Sequence, residues 1–134
     1  MAYEDTYRLS VHAVILDERG NPLFVKTTYG AKTWTLPGGA IDPGETIHET
    51  LIRECREELG CEVTVRYLSG VYYHRAHNSQ AFVFRCEVPA DAKILLSAEH
   101  SEFRYIPVSE LKDSHRRKIE DCLSYRGETV SAKF

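Results

Sequence analysis

Glu54, Glu57 and Glu58 stand at relative positions zero, three and four, a spacing that a helix turns into a cluster. At about 100° per residue, Glu58 falls about 40° to one side of Glu54 and Glu57 about 60° to the other, so the three carboxylates converge. Ile47, Leu51, Cys55 and Leu59 recur every fourth residue beside them, so the acids border the stripe that packs into a core. Carboxylates gathered this way repel. The penalty is about 0.2–0.5 kcal/mol per pair on a solvated face, but it approaches ~3 kcal/mol at roughly 6 Å and an effective dielectric near 20. The acids are therefore either a solvated face or hard oxygen ligands for a divalent cation such as Mg²⁺, which also binds phosphate and water.

The elements around the acids must hold them in place. Thr33-Trp34-Thr35-Leu36 reads as a short strand ended by Pro37-Gly38-Gly39. Asp42-Pro43-Gly44 suits a turn in which proline sets the first dihedral and glycine accepts a positive one. Thr46 and Glu49 form a capping box, which places a helix over 46–59 with Gly60 as its stop. Upstream, 7–16 and 23–28 read as strands, the run Val11 to Leu16 being apolar enough for burial on both faces. Downstream, 61–74 is a strand interrupted at Gly70, 79–88 is its hairpin partner, 103–108 is a last strand, and 111–125 is a second helix. The order β-β-β-α-β-β-β-α implies an α/β fold, a mixed sheet covered by helices on both faces.

Gly39, five residues, Glu45, seven residues, then Arg53-Glu54-Cys55-Arg56-Glu57-Glu58-Leu59-Gly60-Cys61 is a defined pattern. It resembles the Nudix box, G-x5-E-x7-R-E-U-x-E-E-x-G-U, where U is a bulky aliphatic residue. Every fixed identity occurs at the right spacing, and at average residue frequencies a chance match is on the order of one in a million. The departures are Cys55 and Cys61 at the U positions, where cysteine serves as a small buried hydrophobe.

Similarity to the Nudix family implies an α/β/α sandwich with a mixed sheet between helices. The implied activity is Mg²⁺-dependent hydrolysis, with Mn²⁺ as the alternative ion, of a nucleoside diphosphate linked to another moiety. Carried onto this chain, the resemblance makes Glu57 and Glu58 the main metal ligands. Glu54 becomes a further ligand or a water-orienting carboxylate, and the Gly38 carbonyl another ligand. Gly39 lets backbone approach the ion, while Arg53 and Glu45 form a supporting pair that holds loop against helix. Many members supply an extra catalytic glutamate after the box. Glu102 is the preferred candidate here, with Glu99 as the alternative.

Lys26, at the end of the second strand, reads as a phosphate contact or an ordinary surface lysine. Trp34, Tyr72 and Tyr73 offer faces on which a base could stack, Trp34 and Tyr73 being the substrate-binding candidates, although strand aromatics also build cores. His115-Arg116-Arg117-Lys118 reads as a solvated helix face. Signatures of ADP-ribose, dinucleoside-polyphosphate and coenzyme A hydrolases are absent. What remains is a nucleoside triphosphate, a modified dNTP or a nucleotide sugar. The reading from another class is a Nudix-like module that senses a nucleotide without hydrolysing it.

The 134 residues suit one domain, 1–134, with 43% hydrophobic and 28% charged residues. No apolar run approaches the roughly 20 residues of a membrane span. The N-terminus lacks a basic flank and apolar segment, so the cytoplasm is the expected compartment. A net charge of −3 does not suggest a nucleic-acid-coating protein but is compatible with small anionic substrates if metal ions mediate contact. Cys55, Cys61, Cys86 and Cys122 are scattered without a Cys-x-x-Cys pair, as buried free thiols would be. The expected partner is a small-molecule nucleotide, and the expected assembly a monomer or homodimer, with the 63–88 region as a candidate edge.

Overall fold

The computed structural model describes residues 3–134. Its first strand, β1 (Arg8–Ile15), carries the doubly buried run. Val11, Ala13 and Ile15 join one core cluster with Leu51, Cys55 and Leu59 of α1 (Ile47–Leu59), whereas Val14 joins a second with Ile119 and Cys122 of α2 (Asp113–Leu123). The alternation of a strand thus assigns one helix to each face. Full burial of each leucine contributes about 1.5–3 kcal/mol.

The strands form two sheets. After β1 come β2 (Leu23–Thr27), β3 (Trp34–Thr35) and β4 (Gly38–Ala40), and beyond α1 come β5 (Thr64–His74), β6 (Ser79–Glu87), β7 (His100–Tyr105) and, after α2, β8 (Val130–Lys133). The larger sheet runs β4-β1-β6-β5-β8 and the smaller β3-β2-β7. The larger is mixed: β1 is parallel to β6 and β5 to β8, while β4 pairs antiparallel with β1 and β5 with β6. In the smaller, both pairings are antiparallel. The single sheet expected from sequence is therefore divided, with β2 and β7 leaving it to pair with each other.

β4 and β8 have no counterpart in the sequence reading. Gly38-Gly39-Ala40 contains no strand former, and pairing with Ser10, Val11 and His12 makes it a strand. The interruption expected at Gly70 is a bulged register against β6, and the Tyr72 ring lies where a Cβ on Gly70 would stand.

The ends of α1 follow local chemistry. Thr46 Oγ1 accepts from the Glu49 amide at 3.1 Å, and the Thr46 amide donates to Glu49 Oε1 at 2.9 Å. Gly44 has φ +90°, and the Glu45 amide donates to the Asp42 carbonyl at 3.1 Å, closing the turn. No helix among the described residues is long and apolar enough to cross a membrane.

All four cysteines are free and buried. Burial pushes the Cys55 thiol far above its usual range and Cys86 to about 12, which removes the reactive thiolate. Ellman's reagent is therefore expected to titrate the four thiols only after denaturation. Fast reaction of the folded protein would contradict the buried positions.

Candidate active site

Arg53 organises the entry to α1. Its Nε and Nη2 donate to the two oxygens of Glu45 at 2.7 and 2.9 Å, the fork geometry that makes arginine–carboxylate pairs strong. Nη1 donates to Glu54 at 3.1 Å and Glu57 at 3.2 Å, and Nη2 also lies 3.1 Å from Asp42. The Thr50 hydroxyl gives Glu45 a further bond at 2.9 Å. One guanidinium thus ties the turn, the helix and two of the clustered acids together.

Glu58 is held from the other side. Its Oε1 accepts from the Gly38 amide at 2.7 Å, and its Oε2 lies 3.4 Å from Nε2 of the buried His100. Burial, opposed by that amide and reinforced by the charges of Glu54, Glu99 and Glu57, pushes the Glu58 carboxyl up to about 8. Glu54 is raised as well, first by burial, against the pull of Arg53. A Cβ on Gly39 would lie 2.6–2.8 Å from the three carboxyl atoms of Glu54. Glycine at 39 is what lets the carboxylate rest on the backbone.

The donor set fits a hard divalent cation. It consists of the carboxylate oxygens of Glu54, Glu57 and Glu58, the ligands such ions take. The raised proton affinities of Glu54 and Glu58 are what a set short of positive charge displays. Among the described residues no three such side chains form a ready-made metal cage; Arg53 and the Gly38 amide hold the acids meanwhile.

Other candidates separate. Glu102 is registered with Lys26 across β7 and β2, and its Oε2 lies 3.6 Å from the lysine Nζ. Of the two loop acids, Glu99 is the one whose charge acts on both Glu54 and Glu58. Lys26 Nζ also sits 5.9 Å from the centroid of the Trp34 ring. Trp34 lines a cleft of about 560 Å³ with Phe24, Thr35, Arg104, Lys112 and His115. Tyr73 is not brought to these groups: it packs edge-on against Tyr7 and its hydroxyl donates to Asn78 at 2.8 Å.

The stretch 115–118 departs from a solvated face. Arg117 is exposed, but Lys118 is 6% exposed and lies on the sheet side of α2 with Ile119 and Cys122. The run of basic residues concealed this, because the helical period splits the four between faces. His100, buried against Glu58, has no sequence signal beyond its place between Glu99 and Glu102.

The Arg53–Glu45 fork has a consequence in acid. It holds the Glu45 carboxyl at about 2, below the ordinary 4.5. A depressed folded pKa stabilises fully above the unfolded value and is lost as pH falls through the folded one. Glu45→Gln is expected to lower the melting temperature at neutral pH, with the gap to wild type narrowing between pH 4.5 and 2. A gap that stayed constant over that window would separate Glu45 from the acid transition.

Comparison with known proteins agrees with this geometry. The NUDIX domain model matches residues 6–123. A MutT-like protein of Streptomyces ambofaciens is 32% identical over 107 residues, covering 80% of this chain and 68% of that protein. A putative 8-oxo-dGTP diphosphatase of Bacillus subtilis (strain 168) is 25% identical over 119 residues, 86% of this chain and 79% of the relative. An RNA pyrophosphohydrolase of Serratia proteamaculans (strain 568) is 40% identical over 60 residues, 45% of this chain and only 34% of that protein. Among solved structures, a NUDIX hydrolase from Nitrosomonas europaea superposes with a TM-score of 0.79 at 21% identity, covering 98% of this chain and 81% of that one. Since the matched residues run through both sheets and both helices, and not through the acidic helix alone, the chain belongs to the Nudix hydrolase family.

Proposed function

We propose that this protein hydrolyses a diphosphate linkage in a nucleoside diphosphate derivative (a nucleoside triphosphate, a modified dNTP or a nucleotide sugar) by attack of water at phosphorus. The observation that carries this reading is the convergence of Glu54 and Glu57 on one Arg53 nitrogen, with Glu58 drawn to the Gly38 amide beside them. Glu54, Glu57, Glu58 and the Gly38 carbonyl would hold the divalent cation, Mg²⁺ or Mn²⁺. A bound cation supplies charge to offset the phosphates and makes a water more acidic.

The chain's own residues do the rest. Arg53 and Glu45 hold the carboxylates in place before substrate arrives, so little reorganisation is left for the reaction. Glu54, resting on Gly39 and raised in proton affinity by burial, would orient water and take its proton. Glu99 is the better-supported extra carboxylate, because its charge reaches Glu54 and Glu58 while Glu102 is engaged with Lys26. The cleft under Trp34 would receive the base or sugar, with Lys26 at its rim toward phosphate.

The test is a panel of nucleoside triphosphates, 8-oxo-dGTP, nucleotide sugars and ADP-ribose, with Mg²⁺ or Mn²⁺, read by product chromatography. The name of the Bacillus subtilis relative supports including 8-oxo-dGTP. Release of pyrophosphate with a nucleoside monophosphate marks a triphosphate substrate, and release of a monophosphate with a sugar phosphate marks a nucleotide sugar. Ligand-dependent thermal stabilisation without any product would replace the hydrolase by a binding module.

A further inference from the structure

Lys118 is a buried ammonium without a counter-charge among the described residues. Its side chain sits with Nζ 5.9 Å from the Tyr72 ring centroid and 5.8 Å from that of Phe134, at 6% exposure. Asp121, one turn along α2, is already committed: its Oδ2 accepts from the Tyr72 hydroxyl and from Arg117 Nε, both at 2.9 Å. Burial pushes the Lys118 pKa down to about 8, with no acid opposing the shift. An unpaired buried charge is destabilising, and the two aromatic rings cradle the cation without neutralising it.

The sheet beneath adds more basic groups. Strand alternation and the β1–β6–β5 register put His12 and His74 on the face that Tyr72 shares, and small residues, Ser10 and Ala81, separate them. The His74 ring lies 5.3 Å from that of Phe134, and His12 Nε2 lies 2.9 Å from Ser10 Oγ. From α2, His115 stacks edge-on to Phe24 at 5.2 Å, with its buried Nδ1 lacking a partner. Burial and the Lys118 charge depress all three imidazoles. They are uncharged imidazoles on the sheet face that holds one cation, a composition suited to an anion.

This group faces α2, on the sheet face opposite α1, and β4 at the sheet edge joins it to the acids. His12 is registered with Gly38, whose amide holds Glu58. Tyr72 lies on β5, three strands from β4, which is roughly 14 Å at about 4.8 Å per strand. That is the length of a nucleotide derivative and too far for the phosphates flanking a single hydrolysed linkage.

Resting on the hydrolase reading above, we propose that Lys118, with His12, His74 and His115, binds a phosphoryl group at the end of the substrate remote from the hydrolysed linkage. The substrate is then a nucleoside diphosphate derivative carrying an additional phosphate monoester.

Two arms test this. In metal-free protein, inorganic phosphate is expected to raise the melting temperature of the wild type and to have little effect on Lys118→Met. Without phosphate, Lys118→Met is expected to melt no lower than wild type, since an apolar side chain replaces an unpaired buried charge. In the second arm, ADP-ribose and ADP-ribose 2′-phosphate are compared as substrates. Wild type is expected to prefer the phosphorylated member in kcat/KM by roughly 10-fold or more, and Lys118→Met to discriminate little. Equal stabilisation of both proteins by phosphate, or a lower melting temperature of the phosphate-free variant, overturns the anion pocket. Phosphate binding without discrimination between the pair overturns its role in the substrate. Absence of turnover on both compounds overturns the role in the substrate, while the nucleotide panel above decides the hydrolase reading and the phosphate arm decides the pocket.

Discussion

Glu57→Gln and Glu58→Gln are each expected to lower turnover at saturating divalent cation by at least about 100-fold, with the fold retained. Glu57 is 58% exposed, so its amide analogue costs the structure little. Glu58 is buried, yet glutamine keeps the carbonyl oxygen that accepts the Gly38 amide. What both variants lose is negative charge aimed at one point. Initial rates beside melting curves check the pair. Wild-type rates in both, at unchanged melting temperature, would remove these acids from the chemistry.

The same charge should be visible without substrate. Glu58 holds its proton up to about 8 in the folded protein against an ordinary 4.5. Between those values the folded state binds the extra proton, so stability of the metal-free protein falls as pH rises through that window. Glu58→Gln is expected to flatten that fall, and a divalent cation that binds the folded state to offset it. A stability profile identical in variant and wild type between pH 4.5 and 8 would place the Glu58 carboxylate in a less buried setting.

The second large effect belongs to Gly38. With φ +150°, a Cβ there would overlap the Val11 carbonyl and lie 2.9 Å from His12 Cα, both backbone atoms of β1. Neither can move without opening the β1–β4 pairing. Gly38→Ala is therefore expected to cost about 3 kcal/mol or more, a drop in melting temperature of roughly 10 °C or greater. Gly39→Ala makes the informative contrast. Its Cβ meets only the Glu54 carboxylate, the mobile end of a side chain, so turnover should fall further than stability. Comparable stability losses in the two variants would mean that Glu54 cannot yield, and that the carboxylate is as rigid as the strand.

Much of the site was legible because it is local. Thr46 and Glu49, Pro43 and Gly44, and the 0, 3, 4 spacing of the acids act through dihedrals and hydrogen bonds spanning a few residues. Less legible were the features set by partners distant along the chain. Gly38-Gly39-Ala40 has no strand propensity of its own and becomes β4 through β1. Glu99 and Glu102 are equally acidic in sequence, and a strand register sends Glu102 to Lys26. Tyr72 and Tyr73 are adjacent, yet alternation buries Tyr72 under Lys118 and leaves Tyr73 against Tyr7. By itself, the sequence determined the helix, its caps and the class of chemistry, since helical contacts lie within one turn. Only the tertiary structure decided that Glu102 pairs with Lys26 and that Lys118 is buried without a counter-charge among the described residues, because register and packing join residues whose separation in sequence carries no local signal.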